Sequence, residues 1–156
     1  MHLDLLLQLF AVSFVWSNVL LLAHEGGHYL TARGLGFIVR SVDIGSGPAI
    51  ARFCDRTGAI WSFRLFPIFG SVRFLNMDGS SPKLFAQFAI ILAGPFANFV
   101  LASVPLIVSS IFFREFSIGL PRHFDGIGPA ACLLLAYVSM SFGAVNLLPI
   151  PPLAGC

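Results

Sequence analysis

The sequence predicts an all-α polytopic membrane protein with three transmembrane helices and a small membrane-associated β-hairpin or sheet between the first two. Three observations carry this reading. The 156-residue chain is 57% hydrophobic and only 10% charged, with a mean hydropathy of +0.90, whereas an ordinary soluble domain is about 25% charged. Its apolar residues gather into three runs, each near or beyond the roughly 20 residues that cross a bilayer core. Between the first two runs, apolar and polar residues alternate as they do in a strand with one buried face. Seventeen phenylalanines set against nine basic and seven acidic residues cannot clothe a water-facing surface, which argues against a soluble enzyme, a disordered tail or a nucleic-acid binder. The formal charge of +2 is too small to imply an anionic partner.

The first run, residues 3–23, is interrupted only by Asp4, Gln8, Ser13, Ser17 and Asn18. It begins Met1-His2-Leu3-Asp4 rather than with a basic segment and stays apolar for too long, so it reads as a retained helix rather than a cleavable leader. The second run, residues 84–113, would be about 45 Å long as a straight helix and must tilt, bend or protrude, with Pro95 and Pro105 as places to bend. The third, residues 127–148, stops at Pro149-Ile150-Pro151-Pro152. The organisation expected is a single core over 1–156, with spans at about 3–32, 84–113 and 127–148 and a β region at about 36–75.

Basic residues fix the expected orientation. Arg33, Arg40, Arg52, Arg56, Arg64, Arg73 and Lys83 fall in the first connection, and only Arg114 and Arg122 in the second. The first connection should therefore face the cytoplasm, in the inner (plasma) membrane of the cell. Within it, residues 60–65 alternate, and the alternation resumes at 71–74 after Pro67-Ile68-Phe69-Gly70. Residues 37–44 form another candidate strand before the turn-like Gly45-Ser46-Gly47-Pro48, giving three or four strands in all. Cys54, Cys132 and Cys156 form no CxxC pair and are odd in number, so they read as small buried thiols rather than a disulfide or zinc-thiolate framework. Trp16, Trp61, Tyr29 and Tyr137 read as packing or interfacial aromatics.

The chemistry concentrates at the end of the first run, in His24-Glu25-Gly26-Gly27-His28. Two histidines four residues apart project from one face of a helix and can share a Zn²⁺ ion, with Glu25 placed as general base. That is the chemistry of peptide-bond hydrolysis. The alternative is a helix end with two interfacial histidines and a surface glutamate. Ionisable groups at the end of an apolar span are costly unless paired or lining a wet cavity, which favours the metal site. Gly26 and Gly27 each cost a helix about 1 kcal/mol relative to Ala, so they make room for a substrate or a neighbouring backbone, or mark a fraying end.

Three separated motifs in order give the chain a family resemblance. They are His24 to His28, then Ala93-Gly94-Pro95-Phe96-Ala97-Asn98, then Asn146-Leu147-Leu148-Pro149-Ile150-Pro151-Pro152-Leu153-Ala154-Gly155. Together they resemble the site-2 protease family of intramembrane zinc metalloproteases, whose motifs are HExxH, GPxxN and N-x-x-P-x-P-x-L-D-G. The resemblance implies a Zn²⁺ cofactor held by His24 and His28, Glu25 as catalytic base, and transmembrane protein substrates cleaved within the lipid bilayer. It also implies that Asn98 and Asn146 face the cavity and bind substrate or the oxyanion, although either amide can instead bond a neighbouring helix. Gly94 and Pro95 read as permitting close packing and a bend. The β region is similar to the family's substrate-binding region, where an edge strand could take up an unwound substrate.

One departure stands out. The family's third ligand is the aspartate of L-D-G, and the aligned residue is Ala154, which has no donor atom. A natural pseudoprotease, an altered or truncated form of an active parent, and a site completed by Cys156 are the competing explanations. Asp43 and Asp78 have no spacing that argues for them as substitutes, and His123 falls on the far connection. The competing functions are a catalytically inactive homologue that binds transmembrane segments as adaptor or decoy, and a metal-transport or metal-sensing protein.

Overall fold

A computed structural model describes residues 2–75, 84–112 and 127–146. The order of elements is α1 (His2–Gly34), β1 (Val39–Cys54), β2 (Ile60–Phe74), α2 (Leu84–Phe112) and α3 (Ile127–Val145). The chain divides into two compact units, Met1–Ala97 and Asn98–Cys156.

In the first unit, α1 ends where Gly36 takes a left-handed conformation, φ 86°. This lets the Phe37 amide donate to the Ala32 carbonyl at 2.9 Å and that of Gly36 to Arg33 at 3.1 Å, a Schellman cap that closes the helix and turns the chain into the sheet. β1 and β2 pair antiparallel from Cys54 against Ile60 back to Val39 against Phe74. The strands bend midway, and Ser41–Ile44 is also registered against Ile60–Phe63, with both partners advancing in the same sense. Two strands thus lie as four segments, ordered 49–54, 60–64, 41–44 and 70–74. The bend in β1 needs Gly45, whose φ is 93° and where a Cβ would stand 2.7 Å from the Phe66 carbonyl oxygen. The core between α1, the sheet and the start of α2 holds Leu20, Leu21, Ala32, Val39, Val42, Ile44, Ala59 and Ile90.

The second unit holds the rest of α2 and α3. Ala102, Ser109, Ala136 and Ser139 are buried, while Val100, Ile107, Ile111, Leu134 and Tyr137 turn outward. The Ser139 hydroxyl lies 2.7 Å from the Leu135 carbonyl, so this buried group is satisfied within its own helix.

Two expectations need correction. The chain is not all-α with three transmembrane helices, because β1 and β2 occupy 16 and 15 residues and form a sheet that packs against α1. Among the described residues, one helix is long and apolar enough to cross a membrane, Leu84–Ile111, and the apolar stretch of α3 is the shorter Ala131–Val145. The physical reasons are local. The last part of α1 buries His24 and Glu25 among protein partners, and the alternating connection pairs into two long strands instead of remaining a minor hairpin. The second correction concerns the thiols: Cys54 is exposed and Cys132 half-buried, and Cys156 lies outside the described residues.

Candidate metal centre

The site grows from two stripes on α1, each one helical turn long and offset by one residue. His24, Gly27 and His28 face α2, whereas Glu25 and Tyr29 face the sheet. A one-residue offset turns a side chain by about 100° around the axis, so the two stripes can serve different partners.

On the helix-facing stripe, the His24 and His28 rings meet edge to face with centroids 4.7 Å apart. Their Nε2 atoms lie 3.1 Å from each other. The Nδ1 of His28 is 2.6 Å from the Ile90 carbonyl oxygen. A carbonyl only accepts, so Nδ1 carries the proton and Nε2 keeps its lone pair. This is the arrangement by which a second partner fixes the tautomer of a metal-binding histidine. Two nitrogens bound tetrahedrally at about 2.0–2.1 Å from zinc would stand about 3.3 Å apart, so the observed pair fits two corners of such a site. Among the described residues no group of three or more His, Cys, Asp or Glu surrounds a common point. Ala154, the aligned third position, lies outside the described residues, as do Asp78, His123 and Cys156. Asp43 is committed elsewhere, its Oδ1 accepting from Arg64 Nε at 3.1 Å and Nη2 at 2.8 Å.

Missing side chains make the approach of α2 feasible. A Cβ on Gly94 would overlap the His28 ring and stand 2.8 Å from the His24 Nε2. A Cβ on Gly27 would lie 2.5 Å from the Ala93 carbonyl oxygen and 3.2 Å from the Ala97 Cβ. The two helices therefore interlock through glycine and alanine, as small residues let membrane helices do. At Gly26, by contrast, a Cβ would meet nothing within 4 Å. α2 runs through Pro95 and Pro105 without interruption.

On the sheet-facing stripe, Glu25 is 4% exposed and lies under the backbone of β2, where a Cβ on Gly70 would collide with its Oε1, Cγ and Cδ. One turn on, the Tyr29 hydroxyl donates to Asp55 Oδ2 at 2.6 Å, and its ring meets that of Trp61 at 5.0 Å. These partners tie the site to the hairpin. Sequence reasoning reads Tyr29 and Trp61 as packing aromatics and does not single out Asp55. The signal that could have found it is Asp55-Arg56-Thr57-Gly58, an aspartate-led turn sequence.

The two asparagines belong to the second unit. Asn98 is fully buried on α2. Asn146 is exposed just past α3, with its Nδ2 donating to the Phe142 carbonyl at 2.7 Å.

Comparison with known proteins agrees with this arrangement of motifs. The profile of peptidase family M50 matches residues 10–125, a stretch that contains the first two motifs. The chain is similar to Protease RseP of Yersinia pestis, 33% identical over 137 residues that cover 75% of this chain and 29% of that protein. It is also similar to proteins named as candidate zinc metalloproteases in Mesorhizobium japonicum, 31% identical over 64% of this chain and 32% of the relative, and in Fusobacterium nucleatum, 31% identical over 65% and 32%. The chain thus spans about a third of the length of these curated relatives. With residues 10–125 matched, the chain belongs to peptidase family M50, the site-2 type of protease that its motifs resemble.

Proposed function

We propose that this chain forms the core of a zinc-dependent intramembrane endopeptidase that hydrolyses peptide bonds of membrane-spanning protein substrates. It would sit in the inner membrane of the cell, with the strand-bearing connection on the cytoplasmic side. The observation that carries the proposal is the convergence of two imidazole Nε2 atoms 3.1 Å apart, with the buried Glu25 carboxylate on the next residue.

His24 and His28 would hold zinc, which when bound supplies a Lewis acid and acidifies water at the site. The Ile90 carbonyl keeps the His28 lone pair directed at the metal position. Glu25 takes the proton of the attacking water on a carboxylate oxygen and returns it to the leaving amine. The β2 backbone at Gly70 covers that carboxylate and excludes bulk water from it. Among the described residues the outer edge of segment 70–74 has no strand partner, and an unwound substrate segment would add there by main-chain hydrogen bonds. Asn98 and Asn146 are proposed to hold substrate backbone or the oxyanion.

Ala154 favours a second reading, a pseudoprotease that binds transmembrane segments without cutting them. Cleavage of a transmembrane reporter in proteoliposomes separates the two. The protease reading expects Ala154→Asp to cleave and the same chain with Glu25→Gln to lose at least about 100-fold in rate, within the range of general-base contributions. Cleavage that survives Glu25→Gln would remove Glu25 from the mechanism. Reporter binding with no cleavage in the Asp form would leave the adaptor reading.

A further inference from the structure

The carboxylate of Asp55 does two separate jobs with its two oxygens. Oδ1 builds the turn between β1 and β2: it accepts from the Thr57 amide at 2.7 Å, the Thr57 hydroxyl at 2.7 Å and the Ala59 amide at 3.1 Å. Oδ2 points away from the turn and accepts from the Tyr29 hydroxyl at 2.6 Å and the Trp61 Nε1 at 3.1 Å. Turn and helix are thus joined through one charged acceptor, with the Tyr29 hydroxyl also 3.3 Å from the Thr57 hydroxyl, and charge-assisted hydrogen bonds are the strong kind. The Tyr29 ring meets Trp61 edge to face at 5.0 Å, and from Trp61 a stack runs to Phe53 at 6.1 Å and to Phe63 at 6.1 Å.

The place where this join meets α1 matters. Tyr29 follows His28 directly and lies one turn, about 6 Å, beyond Glu25 on the same face. The sheet therefore rests on this face of α1 at two points one turn apart, Gly70 on Glu25 and Asp55 on Tyr29. The two points are connected by ladder pairing, because Ile60–Phe63 is registered against Ser41–Ile44, which pairs in turn with Gly70–Arg73. Beside the wider apolar packing of the sheet on α1, these two contacts lie on the helix face that carries the carboxylate and together bear on the height of the β2 backbone over it.

We propose that Asp55 is a positioning residue of the site: through Tyr29 it sets where the β2 backbone at Gly70 stands over Glu25, and hence how far that carboxylate is open to water and to substrate. The proposal rests on the reading of Glu25 as the catalytic base, but its geometry can be tested without activity or metal. The probe is a water-soluble carbodiimide with an amine nucleophile, whose coupling to Glu25 in the detergent-solubilised full chain is followed by peptide mass spectrometry. Amide hydrogen exchange is measured alongside it.

Tyr29→Phe deletes the helix end of the join and leaves every Oδ1 bond of the turn in place. It should raise the rate of Glu25 coupling about tenfold and speed exchange at residues 68–72 by a similar factor. Exchange at 55–59 and at 84–97 should stay within about twofold of the parent. Asp55→Asn should reproduce the Glu25 effect and loosen 55–59 as well. An unchanged Glu25 coupling rate in Tyr29→Phe, or faster exchange confined to 55–61, would show that the Asp55 cluster merely closes the turn. Should Asp55→Asn fail to fold, Tyr29→Phe alone still decides the matter. Zinc binding measured on the same variants in an Ala154→Asp background reports independently on the protease reading, so either idea can fail while the other stands.

Discussion

The two faces of α1 start one residue apart and are held by different physics. On the face turned to α2, contact depends on what is missing: Gly27 and Gly94 have no side chain, so backbone and imidazole come together directly. On the face turned to the sheet, contact depends on what is present, a buried carboxylate at Glu25 and a tyrosine hydroxyl bonded to Asp55 at 2.6 Å. The helix face should thus fail by steric intrusion, abruptly, and the sheet face by the loss of individual hydrogen bonds, gradually. A metal pair needs fixed ligand geometry, which rigid helix packing supplies, whereas a proton-transferring carboxylate needs controlled access.

The largest expected effect tests the steric half of this contrast. Gly94→Ala should destabilise the chain by about 1–3 kcal/mol, the usual range for overpacking, because the new methyl meets both imidazoles. Gly26→Ala should do the reverse and stabilise by up to about 1 kcal/mol, since it gains helix propensity with nothing in its way. Thermal unfolding of both in one detergent measures the pair. If Gly94→Ala is as benign as Gly26→Ala, the close approach of α2 is not what organises the histidines.

A smaller effect sharpens the sheet half. The Asp55 carboxyl is held well below the usual carboxylate range, chiefly by the hydrogen bond from the Tyr29 hydroxyl and then by those from Thr57 and Trp61. A depressed value stabilises the folded state at pH above the unfolded value of about 3.9, and that contribution fades as pH falls toward the folded value. Trp61 fluorescence, read in a Trp16→Phe background, should therefore stay flat from pH 8 to 5 and change only in strong acid. A transition between pH 8 and 6 would mean that another group governs the hairpin tip.

Much of the site is legible in the sequence because its signals are local. His24 and His28 share a helix face by spacing alone, and alternation marks the strands. Residues that depend on long-range packing are harder to read. Gly45 to Pro48 looks like a turn, yet it lies within a strand that bends: the chain passes through the left-handed Gly45, and pairing resumes at Ser46 against Phe66 and Ala49 against Arg64. The actual reversal, at Asp55 to Ala59, is easily passed over because its aspartate draws two of its five partners from aromatic groups outside the turn. Nor does periodicity reveal that Gly70, 45 residues after Glu25, would cover it.

Whether His24 and His28 form two corners of a zinc site is decided by zinc content per folded chain in metal-buffered mild detergent. The parent, Ala154→Asp, and Ala154→Asp combined with His28→Ala should be compared under one set of conditions. About one zinc per chain is expected in the Asp form, with a tenfold or greater loss of affinity when His28 is removed. Zinc retained equally with and without His28 would contradict it.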